Sequence, residues 1–259
     1  MTLTLALSAE SETFVLTAAR VAGVVVTAPM FSAATIPSLV RVALVAVLAV
    51  AIMPGLPLVG GGLVVLLGAG LLLQFLIGLL LGSVVTIVIS AFSVAGQAIT
   101  YQLGVGLAAF ANPAVVGASS VLAEWFTLLA LLVYVILRGP ELVVVALADS
   151  FKAMPLSVTA LAPAAPLFVV GLFRSALEVA LLIAAPMMVA GLVSDLTIGI
   201  VSRAFPQINA FFMSLPVKFG LVLLVLLAAT PLFYAIVPNV LTRAYTDLSH
   251  LLVLLERHP

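Results

Sequence analysis

Few side chains in this sequence can carry charge, and their spacing decides what chemistry they could do. Three opposite-charge pairs stand at i,i+3 or i,i+4: Arg138 with Glu141, Asp149 with Lys152, and Arg174 with Glu178. On a helix, that spacing puts both partners on one face. The first two pairs flank turns and read as solvated helix ends. The third lies in an apolar segment, where an ionisable group costs about 2.5–3.5 kcal/mol on insertion scales and faces protein or water. Arg174 and Glu178 are therefore expected as a buried charge pair. Two roles are open to Glu178: the proton-relay carboxylate of a coupled small-solute transporter, or an assembly contact. With no second carboxylate in the same tract, assembly or local neutralisation by Arg174 is favoured. Glu124, beside Trp125, and Asp195 have no partner close in sequence. Arg20, Arg203 or a neighbouring subunit are their candidates.

The residues do not build an enzyme. Both histidines, His250 and His258, fall in the last ten positions, and there is no cysteine. No serine–histidine–acid set and no ligand spacing for a metal is suggested. No catalytic residue, metal or cofactor is expected. Gly104-Val105-Gly106 followed by Ala109 imitates a dinucleotide-binding fingerprint, but no strand precedes it and no acidic residue follows at the needed distance. Asn112-Pro113-Ala114 imitates the box of water channels, but occurs once and without the arginine that follows the second copy there.

The remaining candidate is a stretch without charge. From Val42 to Ala123 there is no Asp, Glu, Lys, Arg or His, and inside that tract lies GQAITYQLGVGLAAFANPAVVGASS, Gly96 to Ser120. It is too rich in glycine for an ordinary spanning helix and too uncharged for an ordinary wet loop. Irregular backbone is tolerated at membrane depth only where protein buries it or it lines a cavity. Its glycines, small apolar residues and Phe110 suit a hydrophobic constriction, a re-entrant gate or plug that yields to a passing polypeptide. Ser93, Gln97 and Thr100 lead into it at helical spacing, as a polar stripe suited to a wet passage.

The elements that must position these residues follow from composition. Of 259 residues, 65% are hydrophobic and 7% charged, against about 25% charged in soluble domains. Barrel strands alternate over about ten residues, whereas Phe219 to Val237 is continuously uncharged, so the expected fold is an all-α integral membrane protein. Formal charge is balanced, which gives no reason to expect nucleic acid as a partner. The first residues lack the basic region of a cleavable signal, and Glu10 and Glu12 interrupt them; Met1 is taken as the mature start. A single membrane-embedded domain over 1–259 is expected.

The apolar segments run from about Phe14 to Ala28 and from about Leu39 to Met53, short enough to pair as a hairpin that need not span. Leu63 to Phe92 is the longest run, with Gly78 and Gly82 offering a small-xxx-small face for close backbone approach. Val121 to Leu137 continues past Arg138-Gly139-Pro140 into Glu141 to Phe151. Pro155, Pro163 and Pro166 mark a connecting loop. Then come a span from Leu167 to Val193, a semi-polar segment from Thr197 to Val217, and a last span from Phe219 to Val237. Asn239 to Pro259 is an amphipathic tail. Arg203 and Lys218 lie on one side of the last span and Arg243 and Arg257 on the other, so basic residues leave the orientation open.

In order along the chain, the motifs resemble those of FliR, the flagellar export-gate family, and of its virulence type III secretion counterpart SctT. Ala28-Pro29-Met30, Ile36-Pro37 and Arg41 match the family's opening pattern. Gly96-Gln97 through Tyr101-Gln102-Leu103-Gly104 to Asn112-Pro113-Ala114 is similar to its glycine-rich loop, with Asn112 where many members carry Asp. Pro206-Gln207-Ile208-Asn209, Phe212, Leu215-Pro216 and Lys218 resemble its most specific signature. The resemblance implies helical hairpins and a single copy of this chain joined to FliP and FliQ in an inner-membrane complex of the flagellar basal body. FlhB and FlhA would lie nearby, and unfolded polypeptides would be the cargo. It further implies that residues 104–120 plug the channel, with Gln102, Leu103, Gly104, Gly106, Phe110, Asn112 and Pro113 at the gate. Pro206, Gln207, Asn209, Phe212, Pro216 and Lys218 would serve assembly. The virulence counterpart and the solute transporter are the two alternatives.

Overall fold

A computed structural model describes residues 2–33, 35–58, 64–104, 121–157, 163, 165–205 and 210–256. All regular structure among them is helical, in eight α-helices: α1 Thr2–Thr27, α2 Ser38–Ile52, α3 Val64–Gln102, α4 Val121–Ile136, α5 Gly139–Ala153, α6 Ala165–Ala204, α7 Ala210–Ala228 and α8 Thr230–Glu256. A 3₁₀ turn, Met53–Gly55, follows α2. Three of these helices are long and apolar enough to cross a membrane, or up to five crossings if two bent helix pairs count as one each. An all-α membrane protein is the result. With 39 and 40 residues, α3 and α6 run far beyond the ~20 residues that cross the hydrocarbon.

The chain forms two compact units, one of residues 1–87, 135–173 and 241–259, the other of 88–134 and 174–240. In the first, α1 packs against α2, as the hairpin reading expects. The turn between them is sealed from inside: Arg41 Nη2 donates to the carbonyls of Ala33 (2.7 Å) and Ser32 (3.4 Å). Pro37 takes the N-cap of α2 at φ −56°, ψ 144°, extended as a residue just outside a helix should be.

The crossing of α1 with α3 rests on glycine. A Cβ on Gly23 would stand 2.7 Å from the Leu79 nitrogen, one on Gly78 3.0 Å from the Gly23 Cα, and one on Gly82 2.9 Å from the Ala28 nitrogen. The close face expected at Gly78 and Gly82 is present, and Gly23 is its counterpart. Where the surroundings are as apolar as the side chains, such van der Waals closeness is what joins helices.

At the same crossing sits Arg20, fully buried. Its Nε donates to Gln74 Oε1 (2.7 Å), Nη1 to the Ser150 carbonyl (2.8 Å) and Oγ (3.1 Å), and Nη2 to Gln74 and to the Met154 carbonyl (2.7 Å). The guanidinium carbon lies 4.2 Å from the centroid of the Phe151 ring. Gln74 in turn donates to the Leu156 carbonyl at 3.4 Å. The partners are neutral, and two are carbonyls at the end of α5, where the helix dipole is negative. None of these described partners of Arg20 is a carboxylate.

Several expected boundaries move. The first helix begins at Thr2, well before Phe14. The expected division between Val193 and Thr197 is absent, because α6 continues through it to Ala204 with Pro186 inside. Within it, the Thr197 hydroxyl donates to the Val193 carbonyl (2.8 Å), which satisfies the polar group inside the helix. Pro166, expected in a loop, lies in the first turn of α6, where its missing N–H is not needed. The expected span Phe219 to Val237 is divided at Ala229, just before Thr230-Pro231. Pro231 has no N–H to offer the Leu227 carbonyl and its ring crowds that carbonyl, so the helix is interrupted just before it. In α8, Leu241, Ala244, Leu248, Leu251 and Leu255 are buried at alternating three- and four-residue steps, along one face of the helix.

Candidate functional site

The site is built in the second unit, where α3 ends. Helix α3 is closed by Gly104 at φ +78°, with its N–H bonded to the Tyr101 carbonyl (3.0 Å) and that of Leu103 to the Ile99 carbonyl (3.1 Å). Glycine adopts this left-handed conformation without steric penalty and commonly stops a helix there. Leu103 is buried among Ile99, Phe126, Met187, Phe219 and Val222, which line a small apolar cavity. Upstream, a Cβ on Gly96 would stand 2.5 Å from the Ala123 Cα, so α3 and α4 meet backbone to backbone.

The polar residue of this corner is Gln102. Its Nε2 donates to Asp195 Oδ2 of α6 at 3.3 Å. The other carboxylate oxygen of Asp195 pairs with the Lys218 ammonium of α7. One turn before Asp195 is Gly191, where an added Cβ would stand 2.6 Å from Gln102 Cγ. Three helices therefore converge on one carboxylate. Lys218 is largely enclosed at 13% exposure, while Asp195 remains 46% exposed. Asp195 was expected against Arg20, Arg203 or another subunit; its partner is Lys218.

Of the expected gate residues, the structure places Gln102, Leu103 and Gly104 together; Gly106, Phe110, Asn112 and Pro113 lie outside the described residues. Of the assembly motif, Pro216 lies inside α7 and Lys218 follows it. Phe212 belongs to the same helix, and Pro206, Gln207 and Asn209 lie outside the described residues. The stripe into the gate is only partly wet. Gln97 is exposed and donates to Ser93 Oγ (3.3 Å), but Thr100 is buried and donates to the Gly96 carbonyl (2.8 Å). Arg174 and Glu178, expected to be buried, are 82% and 64% exposed in this chain and neutralise each other at 3.0 Å. Arg138–Glu141 (3.9 Å) and Asp149–Lys152 (2.8 Å) are exposed pairs as expected. Glu124 lies in the first turn of α4, where a negative charge suits the helix dipole.

Sequence reasoning missed Gly191 and the Asp195–Lys218 pair. The usable signal was isolation: Lys218 is the one charged residue of α7, and Asp195 has no opposite charge three or four residues away on α6. Opposite charges stranded in that way lower their cost by meeting.

This is a multi-pass helical membrane protein whose polar groups tie helices together. The chain belongs to the bacterial export proteins, family 1, which it matches over residues 11–244. It is 30% identical over 203 residues to the flagellar biosynthetic protein FliR of Buchnera aphidicola, covering 77% of this chain and 78% of that one. It is 26% identical over 238 residues to FliR of Pectobacterium carotovorum, 92% and 91% of the two chains. To FliR of Aquifex aeolicus it is 27% identical over 158 residues, 61% of each chain. The motif resemblance to FliR therefore stands. Family and apolar helices together make this a multi-pass protein of the bacterial inner membrane.

Proposed function

We propose that this chain is a non-enzymatic subunit of the flagellar type III export gate. It joins FliP and FliQ, as one copy, in the channel for unfolded flagellar subunits, with FlhB and FlhA nearby. The observation that carries this reading is the family match over residues 11–244, on a chain whose midsection, Val42 to Ala123, holds no Asp, Glu, Lys, Arg or His. The names of the relatives favour the flagellar over the virulence system.

Residues 104–120 serve as the plug. Support comes from the uncharged, glycine-rich sequence and from the way α3 stops at Gly104, with Leu103 packed and Gln102 tied immediately before it. An apolar constriction blocks ions by excluding water from the passage and needs no charged ring. Substrates would pass without any group here making or breaking bonds.

Purification of the tagged chain from native membranes, with identification of everything that accompanies it, tests the proposal. Recovery with FliP and FliQ in fixed ratio is expected; recovery alone, or with injectisome components, overturns the flagellar assignment.

A further inference from the structure

The geometry points to Lys218 and Asp195 as positioning residues: a tether from α7 through α6 that holds Gln102, and with it the end of α3. Its consequence for the gate rests on the proposed function; the tether itself rests on described residues alone.

The two charges need each other. Lys218 is 13% exposed and is the one charged residue of its helix. A charge so enclosed is costly unless it is paired, and Asp195 is the counter-charge. Asp195 spends one oxygen on Lys218 and the other on Gln102 (3.3 Å). Removing Lys218 would leave the carboxylate free to turn to solvent, through which it is already 46% exposed. Gln102 would then lose its only described acceptor on α6.

A second observation is independent of charge. Gly191 lies four residues before Asp195, on the same face of α6. It leaves the notch that Gln102 fills, since a Cβ would stand 2.6 Å from Gln102 Cγ and 3.1 Å from Nε2. Shape and charge thus converge on one side chain, the last of α3. The weak link is the exposed Gln102–Asp195 bond at 3.3 Å, which can break while Lys218 keeps its counter-charge. The tether therefore holds α3 in place yet can release without unpacking Leu103 and its apolar neighbours.

The test is hydrogen exchange in the complex purified from native membranes, read at peptides covering 97–104, together with ion leakage across those membranes. Asp195→Asn and Lys218→Met should each raise exchange there roughly tenfold, with the rest of the chain unchanged. Lys218→Arg should keep it at the original rate. If the charge variants fail to assemble, Gly191→Ala, which crowds Gln102 and keeps both charges, should give the same local rise. Unchanged exchange at 97–104, a uniform rise along the chain, or a raised rate in Lys218→Arg overturns the tether. Raised exchange without ion leakage upholds the tether and counts against the gate.

Discussion

Gly23 of α1 and Gly78 of α3 face each other so closely that a Cβ on Gly78 would stand 3.0 Å from the Gly23 Cα and equally close to the carbonyl carbon of Arg20. The obstacle is backbone rather than a flexible side-chain end, so the helices must separate to admit any larger residue. Separation would also disturb Arg20, which sits one turn from Gly23. Gly78→Val is expected to destabilise the first unit by about 3 kcal/mol or more, at the upper end for overpacking. Gly68→Ala, where nothing lies within 4 Å, is the control and should be near neutral. Thermal inactivation of the detergent-purified complex measures both.

The Arg20 cluster makes a sharper prediction. Replacing Arg20 by Met keeps length and apolar contact but takes the described donor from Gln74 Oε1 and the Met154 carbonyl, while the Ser150 carbonyl keeps the Met154 N–H. Unsatisfied buried polar groups cost about 1–3 kcal/mol each. Arg20→Met should therefore lower stability severely, and Gln74→Leu in the same chain should recover part of the loss by removing one orphaned acceptor. Arg20→Lys should also fail to restore the site, since an ammonium has three donors and no planar fork. Steady-state amounts of the chain in membranes, followed by unfolding of what is purified, decide the order of these variants.

The exposed pair Arg174–Glu178 separates the export reading from a proton-coupled transporter. At 3.0 Å and 82% and 64% exposure, it resembles an ion pair on a helix surface, worth about 0.3–0.5 kcal/mol. Glu178→Gln should leave export within about twofold of the original. In reconstituted vesicles it should abolish no coupled uptake, there being none to lose. Loss of a proton-driven solute flux on this substitution would establish the transporter instead.

The sequence was most legible where one helix or one run of residues carried the information. Composition sufficed for the all-helical membrane class. Gly78 and Gly82 announced the close face because four residues separate them on a single helix. The α2 boundaries could be read from Pro37 and Pro54. What could not be read depends on distant segments meeting. Arg20 finds Gln74 54 positions away and Ser150 130 positions away, and its neutral partners leave no complementary charge to search for. The division expected between Val193 and Thr197 falls at Asp195, but Asp195 is satisfied by Lys218 and α6 runs on. The break at Ala229 was signalled by Thr230-Pro231 and outweighed by the apolar run around it. At the gate, Gln102 was named for its place in a motif, while its contacts with Asp195 and Gly191 came only from the folded chain.

The signature around Pro206 carries an assembly prediction. Helix α6 ends at Ala204 and α7 begins at Ala210, so Pro206, Gln207 and Asn209 join the helices that bear Asp195 and Lys218. Replacing Pro206 or Asn209 by a bulky residue such as Leu should impair complex formation more than membrane insertion. Full partner stoichiometry in the purified variant would defeat that expectation.

Deletion of Gly106 to Asn112 addresses the plug directly. These residues contain no ionisable group, and they follow the point where α3 is stopped by Gly104 and anchored through Leu103 and Gln102. The deletion leaves all three of those anchoring residues in place, so assembly should survive it. If the stretch excludes water from the passage, its loss opens a hydrated path, and membranes carrying the assembled complex should leak small ions while still holding the complex at its original amount. Substituting Phe110→Ala alone should leak less than the deletion, because the remaining apolar residues still disfavour water. Unchanged membrane conductance in the deletion, with the complex present at normal levels, would place the closure of the channel elsewhere in the assembly.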